Sequence, residues 1–283
     1  MALDAQLVVD RLADNFVVAL GADLAPHRAF AVSAQPEGIP VGRNTFQIEV
    51  SNAGSTVQTN PTTYLTGTGT NTNAAIACSE YSVTWQITSE EGLQGHRFAT
   101  GPGKNANQLA DKVWAVVSAL MVTGTFTNAD SSVAAASFSD SHRQHLWASI
   151  TGSQELHLVL SRAAMAGMLP SDKNSFELSE SGAYGFAGLH TVSNWAAASS
   201  NVYGFAAAPQ AFAVVHGSPD RPSAVMDSMT SAGRVETLPI PGGMAVELSV
   251  WADPNTRVLY ASLALCYGAA VTDATALTLQ LTS

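Results

Sequence analysis

Apolar residues recur at helical spacing near the start of the chain. In residues 3–20 the large apolar side chains fall on one stripe, and Asp10, Arg11 and Asp14 lie mostly off it. Gly21 follows the stripe, and glycine commonly ends a helix. The pattern predicts an amphipathic helix that packs either on its own domain or, as an arm, on a neighbouring copy. The sequence leaves both uses open.

The clearest helical pattern lies in Gly101–Gly124. Its large apolar residues from Leu109 to Leu120 share one stripe, which is typical of a helix buried along one side. Asn105 or Asn107 can cap the start of this helix, and Gly124 can end it. The segment therefore predicts a long helix that packs against a sheet or against another helix.

Apolar and polar residues alternate in two segments, Asn44–Asn52 and Tyr81–Thr88, and both predict strands. The stretch between them is rich in Thr, Gly and Asn and cannot build a core of its own. We therefore expect a hairpin that has these two strands and a long polar tip. Because an isolated hairpin is marginally stable in water, it should lie on something, most naturally another subunit. A surface loop is the competing interpretation.

The rest of the chain predicts short helices and strands in a mixed order, without a solenoid or propeller repeat. Tight turns are expected at Pro241–Gly243 and Asp253–Asn255. The pattern as a whole predicts an α+β fold. The predicted helices begin at about Asp140 and cover residues 162–170 and 210–217, and the predicted strands cover residues 155–161, 186–194 and 201–209 and, as a consecutive series, 233–271.

Composition adds a constraint on the surface of the protein. Hydrophobic residues make up 46% of the chain and charged residues only 12%, about half the usual quarter. Such a surface is covered either by small polar residues, as in residues 51–73, or by partner subunits, as in an obligate oligomer. The net charge is −10, and the few Lys and Arg are scattered. This balance argues against an outer surface that grips nucleic acid, but it suits a wall beside DNA.

Cysteine usage and the chain start bear on the compartment. Cys78 and Cys266 match no ligand spacing and are interpreted as buried thiols rather than a disulfide. Asp4 and Asp10 stand where a secretory signal would have basic residues. The longest apolar run, Val113–Val122, is too short to span a bilayer. We expect a protein made in the cytoplasm that has no membrane segment.

Known enzyme motifs are not matched by the sequence. Residues 101–106 look a little like a phosphate loop, but Phe98 stands in place of the first glycine, and Asn105 replaces the Ser or Thr that would hold Mg²⁺. The chain contains neither G-x-S-x-G nor H-E-x-x-H. We therefore expect no enzyme activity, catalytic residue or cofactor. A site assembled from distant residues stays open as an alternative.

Histidines offer the only candidate metal ligands. His142 and His145 are three residues apart on a predicted helix, but no further ligand is suggested nearby, so a polar helix face is the favoured interpretation. His157 and His190 lie within alternating strands and fit hydrogen-bonded structural histidines better than ligands. The sequence therefore predicts no metal site.

The order of these parts resembles the major capsid protein of tailed bacteriophages, which has the Hong Kong 97-like fold. Asn44–Thr88 is similar to the extended loop of that family, and Gly101–Gly124 to its spine helix. Leu156–Pro170 is similar to the strand and helix of its axial domain. Residues 203–277 carry the strongest likeness, including the peripheral-domain strand pair and the Tyr267-Gly268 turn. The resemblance covers nearly the whole chain, and its specific signal is the order and spacing of the parts.

The resemblance implies four parts of the chain. They are an N-terminal arm at 1–37, an extended β-hairpin loop at 38–97, a peripheral domain with the spine helix at 98–129 and 246–268, and an axial domain at 130–245 and 269–283.

The resemblance also implies a structural role. Copies of the chain would form pentamers and hexamers of an icosahedral shell that encloses double-stranded DNA without sequence-specific binding. Portal, scaffolding and decoration proteins are the further partners that it implies, and the expected location is the virion, after synthesis in the host cytoplasm. A second hypothesis is an encapsulin-like compartment shell of the same fold. In such shells an inner N-terminal helix binds cargo peptides, and residues 3–20 leave that use open.

Four residues are the candidate contacts between subunits. Asp253 and Arg257 flank the expected turn at the tip of the peripheral domain, where neighbouring capsomers would meet. Tyr64 stands in an otherwise polar loop tip, and Trp85 is one of five tryptophans spread over different elements. Aromatic residues of this kind serve as core or interface anchors more often than as a ligand cage.

Overall fold

The computed structural model describes residues 5–24, 27, 31–34, 39–40, 45–52, 70–87, 95–122, 126, 128–150, 155–168, 185–192, 195, 201–209, 211–221, 233–240, 243–253 and 258–281. Helices and strands are mixed along the chain, which confirms the α+β class. The helices are α1 (Ala5–Leu24), α2 (Gly95–Ser118), α3 (Asp140–Ser149) and α4 (Arg162–Met168), with short 3-10 helices at Ala135–Ser137 and Ala274–Ala276. The strands are β1 (Ala31–Ala34), β2 (Ile39–Pro40), β3 (Thr45–Asn52), β4 (Thr70–Ala77), β5 (Ser79–Ile87), β6 (Asn128–Ser132), β7 (Leu156–Ser161), β8 (Phe186–Val192), β9 (Val202–Ala207), β10 (Phe212–Gly217), β11 (Pro219–Asp220), β12 (Gly233–Ile240), β13 (Met244–Asp253), β14 (Val258–Val271) and β15 (Leu277–Leu281).

The larger sheet is built around the long strand β14. Its strand order is β1-β10-β14-β13-β12, and β5 pairs with the first part of β14. All of these pairings are antiparallel except that of β1 with β10. The predicted C-terminal series of strands is confirmed as β12, β13 and the first part of β14. The predicted Tyr267-Gly268 turn is wrong, because β14 continues through this pair to pair with β10.

A second sheet of five strands has the order β6-β15-β9-β7-β8. Strand β7 pairs antiparallel with β9 and parallel with β8, so β8 lies at one edge of this sheet. Helices α3 and α4 pack on one face, around Leu146, Leu158 and Ala164. The predicted strands at β7, β8 and β9 and the predicted helices at α3 and α4 are confirmed.

Helices α1 and α2 cover the inner face of the larger sheet. Phe16, Leu20 and Leu24 of α1 are fully buried in the same cluster as Val113 and Val117 of α2. The second sheet contributes to this cluster as well, so one apolar core joins the two sheets. The described part of α1 therefore packs on its own chain. The helix runs past Gly21, contrary to expectation, because the burial of Leu24 extends the apolar stripe by one more turn.

The long helix is confirmed, but its predicted bounds are wrong. Helix α2 begins at Gly95 and runs through Pro102 and Gly103, so Asn105 and Asn107 lie inside it rather than at a cap. Packing overrides the weak local preference of such residues for a helix end. The helix ends at Ser118 because the next turn tightens, with i→i+3 hydrogen bonds from the amides of Leu120 and Met121.

The hairpin is present, but its second strand was assigned wrongly. Strand β3 pairs with β4, whereas β5, the predicted partner, pairs with β14 in the larger sheet. Strand β4 was missed because its sequence, Thr-Asn-Thr-Asn-Ala-Ala-Ile-Ala, has few residues that favour strands.

The segment at Phe212–Gly217 was predicted as a helix and is strand β10. Every one of its residues is buried, and it lies between β1 and β14. A short apolar run of this kind has no polar positions that would show its period, so a buried strand and a buried helix cannot be told apart by pattern. The adjacent β-branched residues Val214 and Val215 fit the strand.

Candidate assembly surfaces

The four predicted contact residues differ in what the structure shows of them. Tyr64 and Arg257 lie outside the described residues. Trp85 is half-buried on the inner face of β5, and its ring meets that of Phe16 edge-on at 5.4 Å between centroids. Asp253 is half-buried at the end of β13, opposite Val258 of β14. The structure thus gives Trp85 a contact within its own chain and places Asp253 at the end of a strand pair.

Exposed apolar surface is sparse among the residues whose side chains are described. The large hydrophobic residues exposed there are Val18, Val122 and Trp147, and they stand on three separate elements or their ends. Trp147 donates a hydrogen bond to the carbonyl of Gly185 at 2.9 Å, so even this ring has a partner in its own chain. The expectation that low charge leaves apolar area open for sister copies is therefore not supported by the described surface.

The outer face of the larger sheet carries uncharged polar groups instead. The Thr84 hydroxyl donates to the Ser262 hydroxyl at 2.9 Å, and the Gln86 amide donates to the Tyr260 hydroxyl at 3.3 Å. The Tyr260 ring also stacks on that of Trp251, with 5.6 Å between centroids. These pairs join β5, β14 and β13 side by side. On this face, cross-strand hydrogen bonds between small polar and aromatic side chains thus take the place of ion pairs between charged residues.

An arginine crosses the same face and binds two carboxylates. Arg221 donates to Glu247 of β13 at 3.0 Å and to Glu80 of β5 at 2.6 Å, across the intervening β14. Burial alone would lower the pKa of Arg221, but the hydrogen bonds to Glu80 and Glu247 and their charges outweigh it and raise the pKa. Glu247 is itself buried, and Ser249 adds a further hydrogen bond to it at 3.3 Å.

The base of the hairpin docks on its own chain. Ile76 of β4 is fully buried against Val215 and Cys266 of the larger sheet, with Phe46 and Ile48 of β3 packed around them. Gly268 permits this approach, because a Cβ there would lie 2.2 Å from the carbonyl oxygen of Ala77. The described base of the hairpin is therefore fixed to its own chain.

Both cysteines lie in the cluster at the hairpin base, as free and buried thiols. Burial raises the pKa of Cys78 to about 11 and that of Cys266 to about 12. Both thiols are therefore protonated at neutral pH and behave as apolar groups. The prediction of buried thiols rather than a disulfide is confirmed.

A buried polar group lies where α1 leads into the larger sheet. His27 is fully buried, its ring lies 4.1 Å from that of Trp114, and its Nδ1 lies 3.2 Å from the hydroxyl of Tyr267. The Trp114 ring nitrogen donates to the carbonyl of Asp23 at 2.9 Å. Burial lowers the pKa of His27 to about 3, and the charges of His216 and His190 act in the same direction. This arrangement fixes the end of α1 to α2 and β14.

The described surfaces offer few groups that could bind a metal ion. In the described ranges no group of three or more His, Cys, Asp or Glu could together hold one. His142 caps α3, where its Nδ1 accepts from the Ser139 amide at 3.3 Å, while His145 is exposed on the same helix. An open groove of about 460 Å³ lies between β5 and α2, where the Lys112 ammonium lies 5.6 Å from the centroid of the Tyr81 ring.

Among the helices that the structure describes, none is long and apolar enough to cross a membrane.

Sequence reasoning missed the Arg221 ion pairs. The partners of Arg221, Glu80 and Glu247, lie 141 and 26 residues away from it in the sequence. The only signal was a lone arginine beside a short loop in a chain that has few cations.

Comparison by sequence gives no relative: no family model matches the chain, and no curated protein matches it. Comparison by structure does. The virus-like particle from Pyrococcus furiosus superposes with a TM-score of 0.61 at 11% identity, over 96% of this chain and 98% of that one. The capsid of a native GTA particle gives a TM-score of 0.51 at 13% identity, and that of an empty GTA particle 0.50 at 14%, each over 92% of this chain and 90% of the other.

At such low identity the likeness establishes the fold and nothing finer. It spans at least 90% of both chains in each case. The chain has the Hong Kong 97-like capsid fold.

Proposed function

We propose that this protein is the major capsid protein of a tailed bacteriophage, with a structural rather than a catalytic role. The observation that carries the proposal is the likeness of the whole chain to shell subunits, over 96% of its length in one case and 92% in another. Copies would assemble into pentamers and hexamers and close into an icosahedral shell. A closed shell leaves no growing edge and gains stability from many modest contacts per subunit.

Surface chemistry supports a shell that holds double-stranded DNA without adhering to it. The chain carries a net charge of −10, with 12 Lys and Arg against 22 Asp and Glu. Tight binding to phosphates requires clustered basic side chains. Among the described cations, Arg221, Arg143 and Arg234 are paired with carboxylates of their own chain. The proposal therefore places the protein in the virion, with portal, scaffolding and decoration proteins as further partners.

The division into parts is proposed along the bounds given by the resemblance, with the arm at 1–37, the extended loop at 38–97, and the peripheral and axial domains after them. Two contacts are proposed from these parts. The distal hairpin with Tyr64 lies on a neighbouring subunit, and the β13–β14 tip with Asp253 and Arg257 meets another. Trp85 is the weakest of the proposed contacts, because its described neighbours belong to its own core.

Two observations favour a second candidate, a compartment shell that loads a cargo protein. Such shells use an inner N-terminal helix to bind cargo peptides, and here α1 is a 20-residue helix packed on its own chain. The highest TM-score among the three shells compared above, 0.61, is also to a virus-like particle rather than to one of the capsids. The two functions share the fold and differ in what the shell contains.

Electron microscopy of the purified recombinant protein tests the shared part of the proposal. Uniform closed polyhedra are expected, and their absence under all conditions of salt and concentration would overturn it. Nuclease-resistant DNA in particles from infected or induced cells separates the two candidates. Packaged double-stranded DNA supports the phage capsid, whereas particles that hold a co-purifying protein and no DNA support the compartment.

Two variants test the proposed contacts. Deletion of residues 56–69, which ends before β4, should leave a folded subunit that forms fewer or weaker shells. Arg257→Ala should lower shell yield more than it lowers the melting temperature of the subunit, with Arg234→Ala in the exposed pair with Glu236 as the matched control. Assembly equal to wild type in the deletion variant would contradict the role of the hairpin.

A further inference from the structure

Strand β5 is an edge strand of the larger sheet. It pairs with β14 on one side, and β14 is its only partner among the described strands. A strand that is paired on one side leaves about half of its backbone N–H and C=O groups facing away from its partner. The 9 residues of β5 therefore present a row of hydrogen-bonding groups that no described strand satisfies.

The other edge strands of this sheet are protected against further pairing, whereas β5 is not. Strand β12 carries Arg234, Glu236 and Pro239, and β1 has only 4 residues. Charged residues, proline and short length all discourage the addition of a strand. Residues 82–87 of β5 are Ser, Val, Thr, Trp, Gln and Ile, so they include no charge and no proline. Several of them are types that favour strands.

The apolar side chains of β5 are also less covered than those of its neighbour. Tyr81, Val83 and Trp85 are half-buried, although they pack on the same core as the fully buried Leu263 and Leu265 of β14. The sheet ends at β5, which leaves one side of these three side chains open. A further strand at this edge would cover them.

The open groove between β5 and α2 runs along this edge. It is lined by residues 80–83 of β5 and by Gln108, Leu109 and Lys112 of α2. Successive residues of a strand point to opposite faces of the sheet, so a groove that touches four in a row follows the edge of the strand rather than one face. An extended polypeptide in this groove would lie within reach of the backbone of β5.

Charge favours a segment of this same chain as the occupant of the groove. Glu80 is held by Arg221 at 2.6 Å, whereas no carboxylate of the described residues pairs with Lys112. The free charge of the groove is therefore positive, and the chain as a whole carries a net charge of −10. Large apolar residues are seldom exposed in the described part of the chain, so copies that associate need polar contacts. The edge of a strand supplies such contacts.

We propose that the edge of β5 is an interaction surface that takes up an extended strand from a second copy of this chain. Backbone hydrogen bonds to β5 hold the added strand, and the groove beside α2 receives its side chains. The choice of a second copy rests on the proposed function, since a shell is built from many copies of one chain.

The variant Val83→Lys tests the edge in the full chain. At an open edge the lysine stem can cover the core while its ammonium reaches water, so the subunit should fold. An added strand would bury the ammonium, so association followed by sedimentation velocity should require at least about tenfold higher concentration. Val235→Lys places the same charge on a half-buried valine of β12 and should associate as wild type. Association of Val83→Lys equal to that of wild type would overturn the proposal, as would an equal loss in both variants.

Hydrogen exchange on the wild-type protein needs no variant to fold. The backbone amides of β5 should exchange at least about tenfold more slowly in associated copies than in single subunits, while those of β12 should not change. Closed shells in which β5 exchanges as in the single subunit would refute this inference and leave the proposed function standing. Slow exchange of β5 in small oligomers that never close would support the inference and contradict the shell.

The same measurement separates a second copy from other occupants. Slow exchange of β5 that occurs only in particles taken from cells, together with a co-purifying protein, would assign the edge to that protein and rule out the second copy. A chain that stays single at every concentration, with β5 in fast exchange, would contradict both the inference and the proposed function.

Discussion

The two faces of the strands β5, β14 and β13 show two ways of stabilising the same sheet. Tyr81, Val83, Trp85 and Ile87 of β5 face inward and pack on the core beneath α1 and α2. The residues between them, Ser82, Thr84 and Gln86, face outward and are exposed. The inner face is held by apolar burial and the outer face by cross-strand hydrogen bonds and one arginine. The comparison shows how a chain with 12% charged residues covers a sheet with few ions.

This difference changes the expected basis of assembly. If the described surface had a broad apolar patch, copies would associate by burying it. Exposed large apolar residues there are confined to Val18, Val122 and Trp147. In the proposed shell, contacts between subunits are therefore expected to depend on polar groups rather than on a broad apolar patch, as in interfaces with a polar rim and a few aromatic anchors.

The largest effect is expected on the inner face. Phe16→Ala removes a fully buried ring that packs on Trp85, and should lower the free energy of unfolding of the subunit by about 4 kcal/mol. Val18→Ala, on the same helix with 73% of its surface exposed, should change it by less than about 0.5 kcal/mol. Denaturant unfolding of the unassembled subunit measures both. Similar small losses in the two variants would mean that α1 does not belong to the core of its own chain.

A smaller loss is expected from the charged cluster on the outer face. Arg221→Ala leaves buried Glu247 without its cation and should cost about 3 kcal/mol. Arg234→Ala breaks an exposed pair of 3.9 Å and should cost below about 1 kcal/mol. The same unfolding measurement compares them, and equal costs would refute the distinction between a buried and an exposed ion pair.

Acid should weaken the inner face through His27. Its pKa is about 3 in the folded protein against an ordinary value of 6.5, so between these values the unfolded chain binds a proton that the folded chain does not. Stability is therefore full above about pH 6.5 and should fall by about 1.4 kcal/mol per pH unit for this residue as the pH decreases.

Unfolding measured between pH 7.5 and 5.5 tests this slope at pH values where carboxyl groups contribute little. His27→Gln should have a shallower slope than wild type. His157 and His190, whose pKa values are also lowered, should retain part of the slope in that variant. A slope that is unchanged on replacement of His27 would contradict its burial in the neutral form.

The smallest effect is expected from the neutral pairs on the outer face. A double-mutant cycle of Thr84→Ala and Ser262→Ala should give a coupling of about 0.5 kcal/mol, since the 2.9 Å hydrogen bond between them lies at an exposed position. Coupling above about 2 kcal/mol would mean that this face is buried in the unassembled subunit and would reverse the comparison of the two faces.

Sequence patterns predicted those elements whose period is visible. The stripe of α2 and the alternation of β5 both show which side is buried, so their existence and buried faces were predicted. Strand β10 is buried on both faces and has no period, so it was mistaken for a helix. Strand pairing was harder to predict than the strands themselves, because no local feature of the β5 sequence specifies that its partner is β14 rather than β3.

The candidate surfaces were less predictable than the fold. Arg221 binds two residues that are distant from it in the chain, Glu80 and Glu247, and His157 contacts His190 only because β7 and β8 lie side by side. Such groups are determined by strand order, which a single sequence does not state. The order and spacing of whole elements, by contrast, are shared with the virus-like particle at only 11% sequence identity. They were also the basis of the resemblance to the capsid fold.

The claim that copies of this chain form a closed shell is tested most directly by sedimentation velocity of the purified protein over a range of concentrations. The account predicts a single fast-sedimenting species of many subunits, together with a pool of subunits that shrinks as concentration rises. A single species near the 29.4 kDa of one chain at every concentration would contradict it.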